Sequence, residues 1–159
     1  MKKLEQTRRE FCALACRAVS AAALVGTAGA VLEGCGGGGP TSPSGLANLA
    51  TVNGTVGNSA ITVAIDASSP LAAVGGAALL QSSIGTFLIA RTAQDSFSVL
   101  TGICTHQRCT ITGFASGRFV CPCHGSNFST SGTVLNGPAV IALRQFPSSF
   151  ANGVLTFTT

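Results

Sequence analysis

The feature that most constrains this sequence is a pair of short segments that each carry cysteine and histidine. The first segment contains Cys104 and His106, and the second contains Cys121, Cys123 and His124. These two histidines are the only ones in the chain. Both segments are flanked by Gly, Pro, Ser and Thr, which are typical of loops. Two loops that each present a thiolate and an imidazole can meet at the tip of a β scaffold and enclose a metal centre.

Around these segments the sequence predicts short β-strands. Apolar and β-branched runs are separated by Gly, Asn, Ser and Pro, and no long stripe with a helical period is present. We expect an all-β fold, an antiparallel β sandwich or small barrel, with the two loops at one end. The predicted strands lie in the runs 50–56, 60–66, 85–91, 97–103, 117–122, 139–146 and 153–159.

Two turns and a core can be predicted within these runs. Asn152-Gly153 between apolar runs is the strongest short signal for a hairpin, and a second hairpin is predicted around Thr92–Ser96. The alternating residues Phe87 and Ile89, together with Val99, supply apolar side chains. A domain of this size is expected to bury a single hydrophobic core.

The N-terminal residues 1–34 are predicted to be a targeting or anchoring segment rather than part of the fold. Arg8 and Arg9, followed by Phe11, resemble a twin-arginine export signal. The uncharged stretch Ala18–Leu32 is shorter than the about 20 residues that a membrane-spanning helix needs. It therefore suits the apolar part of a signal peptide better than a transmembrane helix.

Cys35 lies where a bacterial lipoprotein would be cleaved and lipidated, although Glu33 departs from the usual residue type there. Lipidation, an uncleaved anchor and simple secretion are three alternatives that the sequence leaves open. Residues 35–45 are rich in Gly, Pro and Ser and predict a flexible linker. Residues 46–159 are predicted to form the functional domain.

The charge of the chain excludes one class of partner. The net charge of +4 arises mainly at the N-terminus, and from Cys35 onward there are four Arg, two Asp and no Lys. Without a basic stripe we expect no binding to nucleic acid. The same distribution offers little long-range steering toward an acidic partner.

The two cysteine- and histidine-bearing segments resemble those of the Rieske iron–sulfur family. CTHQRC, residues 104–109, is similar to the first family box, C-x-H-x-G-C, and CPCHGS, residues 121–126, is similar to the second. The resemblance implies a Rieske-type fold, a [2Fe–2S] cluster as the cofactor, and one-electron transfer as the activity.

The resemblance also implies how the cluster is held. Cys104 and Cys121 would bind one iron. His106 and His124 would bind the other. Neutral imidazoles in place of thiolates make the cluster less negative, so such clusters have potentials of about −150 to +300 mV, against about −400 mV for plant-type clusters. The second imidazole nitrogen can gain or lose a proton when the cluster gains or loses an electron. This coupling allows a quinol to be oxidised.

A disulfide between Cys109 and Cys123 is a further implication of the resemblance. It would close a loop of about 15 residues, worth about 3 kcal/mol in the chain-entropy model. It would also require an oxidising compartment, in agreement with an export signal. Rieske proteins of the cytochrome bc branch have this disulfide, whereas the soluble Rieske ferredoxins of dioxygenases generally lack it.

Four further residues match family positions around the cluster. Ser126 corresponds to a serine whose hydroxyl donates to a bridging sulfide and raises the reduction potential. Phe128 stands where the highest-potential members have a Tyr, so we expect a potential below the top of the family range. Gly137 and Pro138 resemble the Gly-Pro loop that covers the cluster, and proline suits a rigid lid.

Two alternatives use the same residues differently. A Cys₂His₂ set could bind zinc, but this would leave Cys109 and Cys123 without a role and would not match the usual histidine spacing of zinc fingers. A structural disulfide domain with incidental histidines is the other alternative. We do not expect a catalytic Rieske oxygenase, because the sequence has no further histidine after His124 with which to build the usual mononuclear iron site.

We therefore expect an electron carrier held at the outer, periplasmic face of a bacterial cytoplasmic membrane. The primary hypothesis is the iron–sulfur subunit of a quinol–cytochrome oxidoreductase, with a cytochrome b/c-type partner. The alternatives are the small Rieske subunit of an exported molybdenum oxidoreductase of the arsenite-oxidase type, and a free-standing periplasmic electron-transfer lipoprotein. The chain alone is not predicted to be a catalyst.

Gln107 and Arg108 form the predicted partner-facing tip of the first segment. In cytochrome bc complexes the corresponding tip is typically Leu-Gly, which is small and apolar and docks against the quinol pocket. A polar residue and a cation at this tip favour a different or more polar partner surface. The alternative is that Arg108 simply points into water.

Overall fold

The structure, a computed structural model, describes residues 47–58 and 60–159. The predicted signal or anchor 1–34, the lipidation site Cys35 and the linker 35–45 lie outside these residues. Every regular element in the described part is a β-strand, which confirms the all-β class. No helix there is long and apolar enough to cross a membrane.

Fourteen short strands make up the described chain. Their bounds are β1 Ala47–Asn48, β2 Ala50–Val52, β3 Thr55–Val56, β4 Ile61–Ala64, β5 Ala77–Ser82, β6 Gly85–Ala93, β7 Ser96–Thr101, β8 Gly113–Ala115, β9 Arg118–Val120, β10 Asn127–Ser129, β11 Val134–Asn136, β12 Gln145–Phe146, β13 Ser148–Ala151 and β14 Val154–Phe157.

These strands form three sheets. The loop sheet has the order β1-β8-β9-β10-β11, the central sheet β12-β7-β6-β5-β2, and the outer sheet β13-β14-β4-β3. All pairs are antiparallel except β2 with β5, which is parallel. The predicted antiparallel fold is therefore confirmed, with this one edge as a parallel exception. Because β3 and β4 of another sheet lie between β2 and β5 in sequence, no tight hairpin forces these two strands to run in opposite directions.

Two apolar clusters lie on opposite faces of the central sheet, which corrects the expectation of a single core. Leu88 and Ala90 of β6 pack in the cluster that includes the loop sheet. Phe87 and Ile89 of the same strand pack in the cluster that includes the outer sheet. Strand β6 is therefore buried on both faces, and the alternation of Phe87 and Ile89 describes only one of them.

Both predicted hairpins are present. Asn152 and Gly153 have φ angles of 52° and 75° between β13 and β14, as the twist of a two-residue hairpin turn requires. The other hairpin joins β6 to β7, where Ala93 is paired with Ser96. The Asn-Gly signal and the β-rich flanks therefore predicted these turns from local chemistry alone.

The predicted strand 139–146 is wrong over most of its length, since only Gln145 and Phe146 are in a strand. Val140 and Ile141 are 88% and 64% exposed, so their apolar side chains do not contribute to a sheet face. Backbone groups at Ala139 and Ile141 instead pair with side chains of the two metal-site loops. The predictions missed strand β5, which is rich in Ala and Leu, and the short strands β8, β10 and β11.

Candidate metal centre

The first cysteine–histidine segment forms a tight loop between β7 and β8. The N–H of Cys104 donates to the carbonyl of Cys109 at 2.8 Å, and the N–H of Arg108 donates to the carbonyl of Cys104 at 3.0 Å. Arg108 has a φ of 58°, in the left-handed region. These bonds close the loop on itself and leave Gln107 and Arg108 exposed at its tip.

The second segment forms a loop of the same design between β9 and β10. The N–H of Cys121 donates to the carbonyl of Ser126 at 2.9 Å, and the N–H of Gly125 donates to the carbonyl of Cys121 at 3.0 Å. Gly125 has a φ of 71°. The two loops thus have the same backbone design. Each begins with a cysteine, Cys104 or Cys121, and the residue four positions later has a φ in the left-handed region.

A disulfide joins the two loops, as the sequence resemblance implied. Cys109 and Cys123 are bonded with a Cα–Cα distance of 6.5 Å. The bond connects the end of the first loop to the centre of the second. It holds together two segments that have few large side chains of their own.

The two other cysteines among the described residues are buried free thiols, one at the start of each loop. Cys104 is 2% exposed and Cys121 is 1% exposed. Burial raises the pKa of the Cys121 thiol, and its side-chain hydrogen bond with Cys104 raises it further. The backbone amides of Cys123 and His124 hydrogen-bond the same sulfur and act in the opposite direction. These amides favour the anionic sulfur that a metal ligand requires.

The two histidines lie side by side at the outer side of the loops. Their ring centroids are 4.9 Å apart and their planes are nearly perpendicular, at 89°. His124 is exposed and His106 is half-buried. The Nδ1 atom of His106 is fully buried and has no hydrogen-bond partner in the described part of the chain. A buried imidazole nitrogen without a partner is costly, so this atom fits a metal ligand.

The four predicted ligands do not converge on one point. Among the described residues, the one trio of metal-binding side chains with all ligand atoms within 4.8 Å of one another is Cys109, Cys121 and Cys123. Two of these are joined in the disulfide and are not thiolates. A single tetrahedral zinc ion would hold its ligand atoms within about 4 Å of each other. Two buried thiols and two imidazoles set apart fit a two-metal cluster better than one ion.

A covering segment, residues 137–141, packs onto both loops. A Cβ atom added to Gly137 would lie 2.5 Å from the Cα of Ser126, and Gly137 has a φ of 100°. The N–H of Ala139 donates to the hydroxyl oxygen of Ser126 at 3.1 Å. The hydroxyl of Thr105 donates to the carbonyl of Ile141 at 2.6 Å. Only glycine at position 137 allows this close approach.

Thr105 is the site residue that the sequence analysis did not identify. The partner of Thr105 lies 36 residues away in the chain. A lone threonine in a loop carries no local signal of such a contact. By contrast, Gly137 and Pro138 were recognised from the family pattern, and the structure brings Gly137 directly against Ser126, with Pro138 exposed.

Ser126 and Phe128 lie beneath the loops. Ser126 is fully buried, and its oxygen accepts from Ala139 while its own proton has no acceptor among the described residues. That proton is therefore free to be donated to a group held between the loops. Phe128 is fully buried in the same cluster as Cys104 and Cys121. Gln107 and Arg108 are exposed at the tip.

Comparison with known proteins gives a consistent result. The profile of the Rieske [2Fe–2S] domain matches residues 63–147. The chain is 33% identical over 114 residues to a cytochrome b6-f complex iron–sulfur subunit of Prochlorococcus marinus, which covers 69% of this chain and 57% of that protein. It is 35% identical over 60 residues to the same subunit of a Cyanothece strain, covering 37% and 34%. The match thus spans less than two thirds of each of these relatives.

Among solved structures, the chain is similar to a plasma membrane Rieske protein of Synechocystis, with 28% identity and a TM-score of 0.47 over 51% of this chain and 84% of that one. It is also similar to naphthalene 1,2-dioxygenase, with 17% identity and a TM-score of 0.50 over 61% and 25% of the two chains. The latter likeness concerns the fold alone.

Proposed function

This chain belongs to the Rieske [2Fe–2S] family, whose profile covers more than half of it, and from that premise we propose that it works as the iron–sulfur subunit of a quinol–cytochrome oxidoreductase. Its activity is the transfer of single electrons through a Rieske [2Fe–2S] cluster. The single observation that carries the proposal is the pair of matching loops, which hold two buried thiols on one side and two adjacent imidazoles on the other.

Each proposed ligand is supported by its surroundings. Cys104 and Cys121 would bind one iron, because both are buried free thiols at the starts of the two matching loops. His106 and His124 would bind the other iron, because their rings are adjacent and the buried Nδ1 of His106 lacks a partner in the described chain. When bound, the cluster supplies one-electron transfer at a potential that imidazole ligation raises.

The surrounding residues hold the site rigid and tune it. The Cys109–Cys123 disulfide prevents the loops from separating. Ser126 would donate its free hydroxyl proton to a sulfur of the cluster, and the covering segment holds its oxygen in place through the N–H of Ala139. The exposed imidazole of His124 offers a route by which a proton can leave with the electron. The loops therefore provide two buried thiols and one accessible imidazole edge.

The relatives support a cytochrome-containing partner, since those reported above are named as subunits of cytochrome b6-f complexes. A second candidate, the small subunit of an exported molybdenum oxidoreductase, is favoured by Gln107 and Arg108. Both are exposed at the loop tip, where an apolar quinol-docking surface would call for small apolar residues. A free-standing electron-transfer lipoprotein is the third form of the same activity.

We place the domain at the outer face of a bacterial cytoplasmic membrane, exported by the twin-arginine route. The support is the Arg8-Arg9 pair and the disulfide, which persists in oxidising compartments. The route carries folded proteins, so the cluster can be inserted before export. Lipidation of Cys35 or retention of the N-terminal segment would provide the anchor. Mass spectrometry of the mature N-terminus distinguishes these two anchors from simple secretion.

The test is a redox titration of the purified protein followed by EPR at several pH values. We expect a mixed-ligand Rieske signal and a potential that falls as pH rises, because oxidation releases imidazole protons. Cys104→Ser should abolish the signal, whereas Gln107→Ala at the exposed tip should preserve it. Stoichiometric zinc with no signal would overturn the proposal. Quinol oxidation with a cytochrome b partner then separates the first candidate from the second.

A further inference from the structure

Arg108 holds a strained backbone position that no packing requirement explains. Its φ of 58° lies in the region that favours glycine, and its counterpart in the second loop is Gly125 with a φ of 71°. A Cβ at Gly125 would meet no atom within 4 Å, so a side chain at this position of the loop contributes nothing to packing. Non-glycine residues in this region cluster at binding and switch sites, and Arg108, unlike Ser116 and Asn152, does not lie in a two-residue hairpin turn.

The side chain of Arg108 is free to meet an external group. It makes no hydrogen bond or salt bridge to the described part of the chain, and it is exposed. It borders a shallow hollow of about 390 Å³ beside the first loop. The hollow is lined by Thr101, Ile103, Cys104, Thr105, Arg108 and Ile141.

The other described arginines are engaged or lie elsewhere. Arg91 is buried and donates to the carbonyls of Leu71, Ala72 and Gln94. Arg144 lies over the ring of Phe146, with its guanidinium carbon 4.6 Å from the ring centroid. Arg118 is the first residue of β9 and belongs to neither loop. From residue 96 to 159 the sequence contains no Asp or Glu.

From these observations we infer that Arg108 is a recognition residue, which pairs with a carboxylate on an acidic face of the protein that exchanges electrons with the cluster. The inference rests on the proposed electron-transfer function. Guanidinium and carboxylate groups form paired, charge-assisted hydrogen bonds. Ile103 and Ile141 contact the aliphatic part of the partner side chain, and Cys104 forms the adjoining wall of the hollow.

A redox protein fits this hollow better than an anionic lipid surface does. The hollow adjoins Cys104, a proposed iron ligand, so its occupant stands beside the first of the two proposed cluster-binding loops. A lipid headgroup in that position would separate the cluster from its partner. The isolated cation also matches a single side chain, whereas a lipid surface is attracted by clusters of several basic residues.

The test uses the full cluster-bearing chain, reduced and mixed rapidly with small oxidants of opposite charge. One electron leaves the reduced cluster and converts Fe(III) to Fe(II) in ferricyanide, or Co(III) to Co(II) in tris(phenanthroline)cobalt. At an ionic strength of about 10 mM, Arg108→Gln should slow oxidation of the cluster by anionic ferricyanide about threefold to tenfold. It should accelerate oxidation by the cationic cobalt complex. Arg108→Lys should restore most of the wild-type preference. Arg118→Gln, the matched control, should change either rate by less than half as much.

A second measurement separates protein from lipid. Poly-glutamate should inhibit the wild-type reaction with tris(phenanthroline)cobalt at low salt and inhibit Arg108→Gln less. Inhibition by phosphatidylglycerol vesicles alone, with poly-glutamate inactive, would overturn the inference in favour of a lipid surface. Equal effects of Arg108→Gln on both oxidants would also overturn it, since a changed potential acts on both rates alike. A protein that cannot be reduced at all would contradict the proposed function instead.

Discussion

Arg108 and Gly125 occupy the same position in two loops of the same design. Each donates its N–H to the carbonyl of the cysteine four residues earlier, at 3.0 Å, and each has a φ in the left-handed region. The second loop uses the residue type that this backbone favours. The first uses an arginine, whose Cβ makes the same conformation unfavourable by about 1–2 kcal/mol.

Replacing Arg108 with Gly should therefore stabilise the domain. We expect Arg108→Gly to raise the free energy of unfolding by about 1 kcal/mol, after allowing for the greater freedom of glycine in the unfolded chain. The thermal midpoint of the cluster-bearing protein, followed by circular dichroism, should rise by a few degrees.

The control for this substitution is Arg118→Gly. Arg118 is also exposed but begins strand β9, where glycine has no conformational advantage. This variant should be less stable than the wild type. A stability loss of equal size in both variants would show that the left-handed backbone at Arg108 carries no strain.

The loops also show which parts of the molecule the sequence could predict. The cysteine and histidine spacing predicted two loops and the disulfide by resemblance, and the Asn152-Gly153 turn followed from local chemistry. The parallel β2–β5 pair and the contact of Thr105 with Ile141 depend on residues far apart in the chain. No local pattern encodes such pairings, because they are decided by how the sheets pack against one another.

The strand predicted at 139–146 was wrong over residues 139–141, which belong to the covering segment, for a related reason. Its apolar residues Val140 and Ile141 suggest burial in a sheet, but they are exposed beside the loops. The segment is held by Gly137 against Ser126 and by the hydrogen bond from Ala139. Hydrophobicity alone cannot distinguish a strand from a segment that covers a site.

Gly137→Ala should displace the covering segment. The added Cβ would lie 2.5 Å from the Cα of Ser126, which is backbone and cannot rotate away. We expect a loss of about 1–3 kcal/mol in the free energy of unfolding, because overpacking and the unfavourable φ act together. The hydrogen bond from Ala139 to Ser126 should weaken as well, so the reduction potential should fall and the cluster should be lost faster in chelator.

Gly117→Ala provides a matched control. Gly117 has a φ of 70°, but an added Cβ would meet no atom within 4 Å. In this variant the free energy of unfolding should fall only by the cost of the unfavourable φ, about 1 kcal/mol, and the reduction potential should not change. The prediction fails if the two alanine variants lose their clusters at the same rate.

Removing the disulfide should loosen the loops while leaving the proposed ligands in place. The sequence separation between Cys109 and Cys123 is 14 residues, so the chain-entropy model gives about 3 kcal/mol of stabilisation. The double variant Cys109→Ser, Cys123→Ser avoids an unpaired thiol that could compete for iron. Its visible absorbance should disappear at a lower temperature than that of the wild type. Coinciding melting curves for the two proteins would show that the disulfide does not restrain the loops.

Phe128→Tyr should raise the reduction potential. Phe128 is fully buried in the apolar cluster that contains Cys104 and Cys121, and the sequence resemblance predicts that it stands at the position of a potential-raising Tyr. A hydroxyl that donates to a ligand sulfur stabilises the more electron-rich reduced state.

Phe119→Tyr is the control, because Phe119 is equally buried and pairs with Phe128 across the strands. There an unpaired hydroxyl should cost about 1–3 kcal/mol of stability and leave the potential unchanged. Redox titrations of both variants decide the matter, and an unchanged or lower potential in Phe128→Tyr would contradict the assigned role of this position.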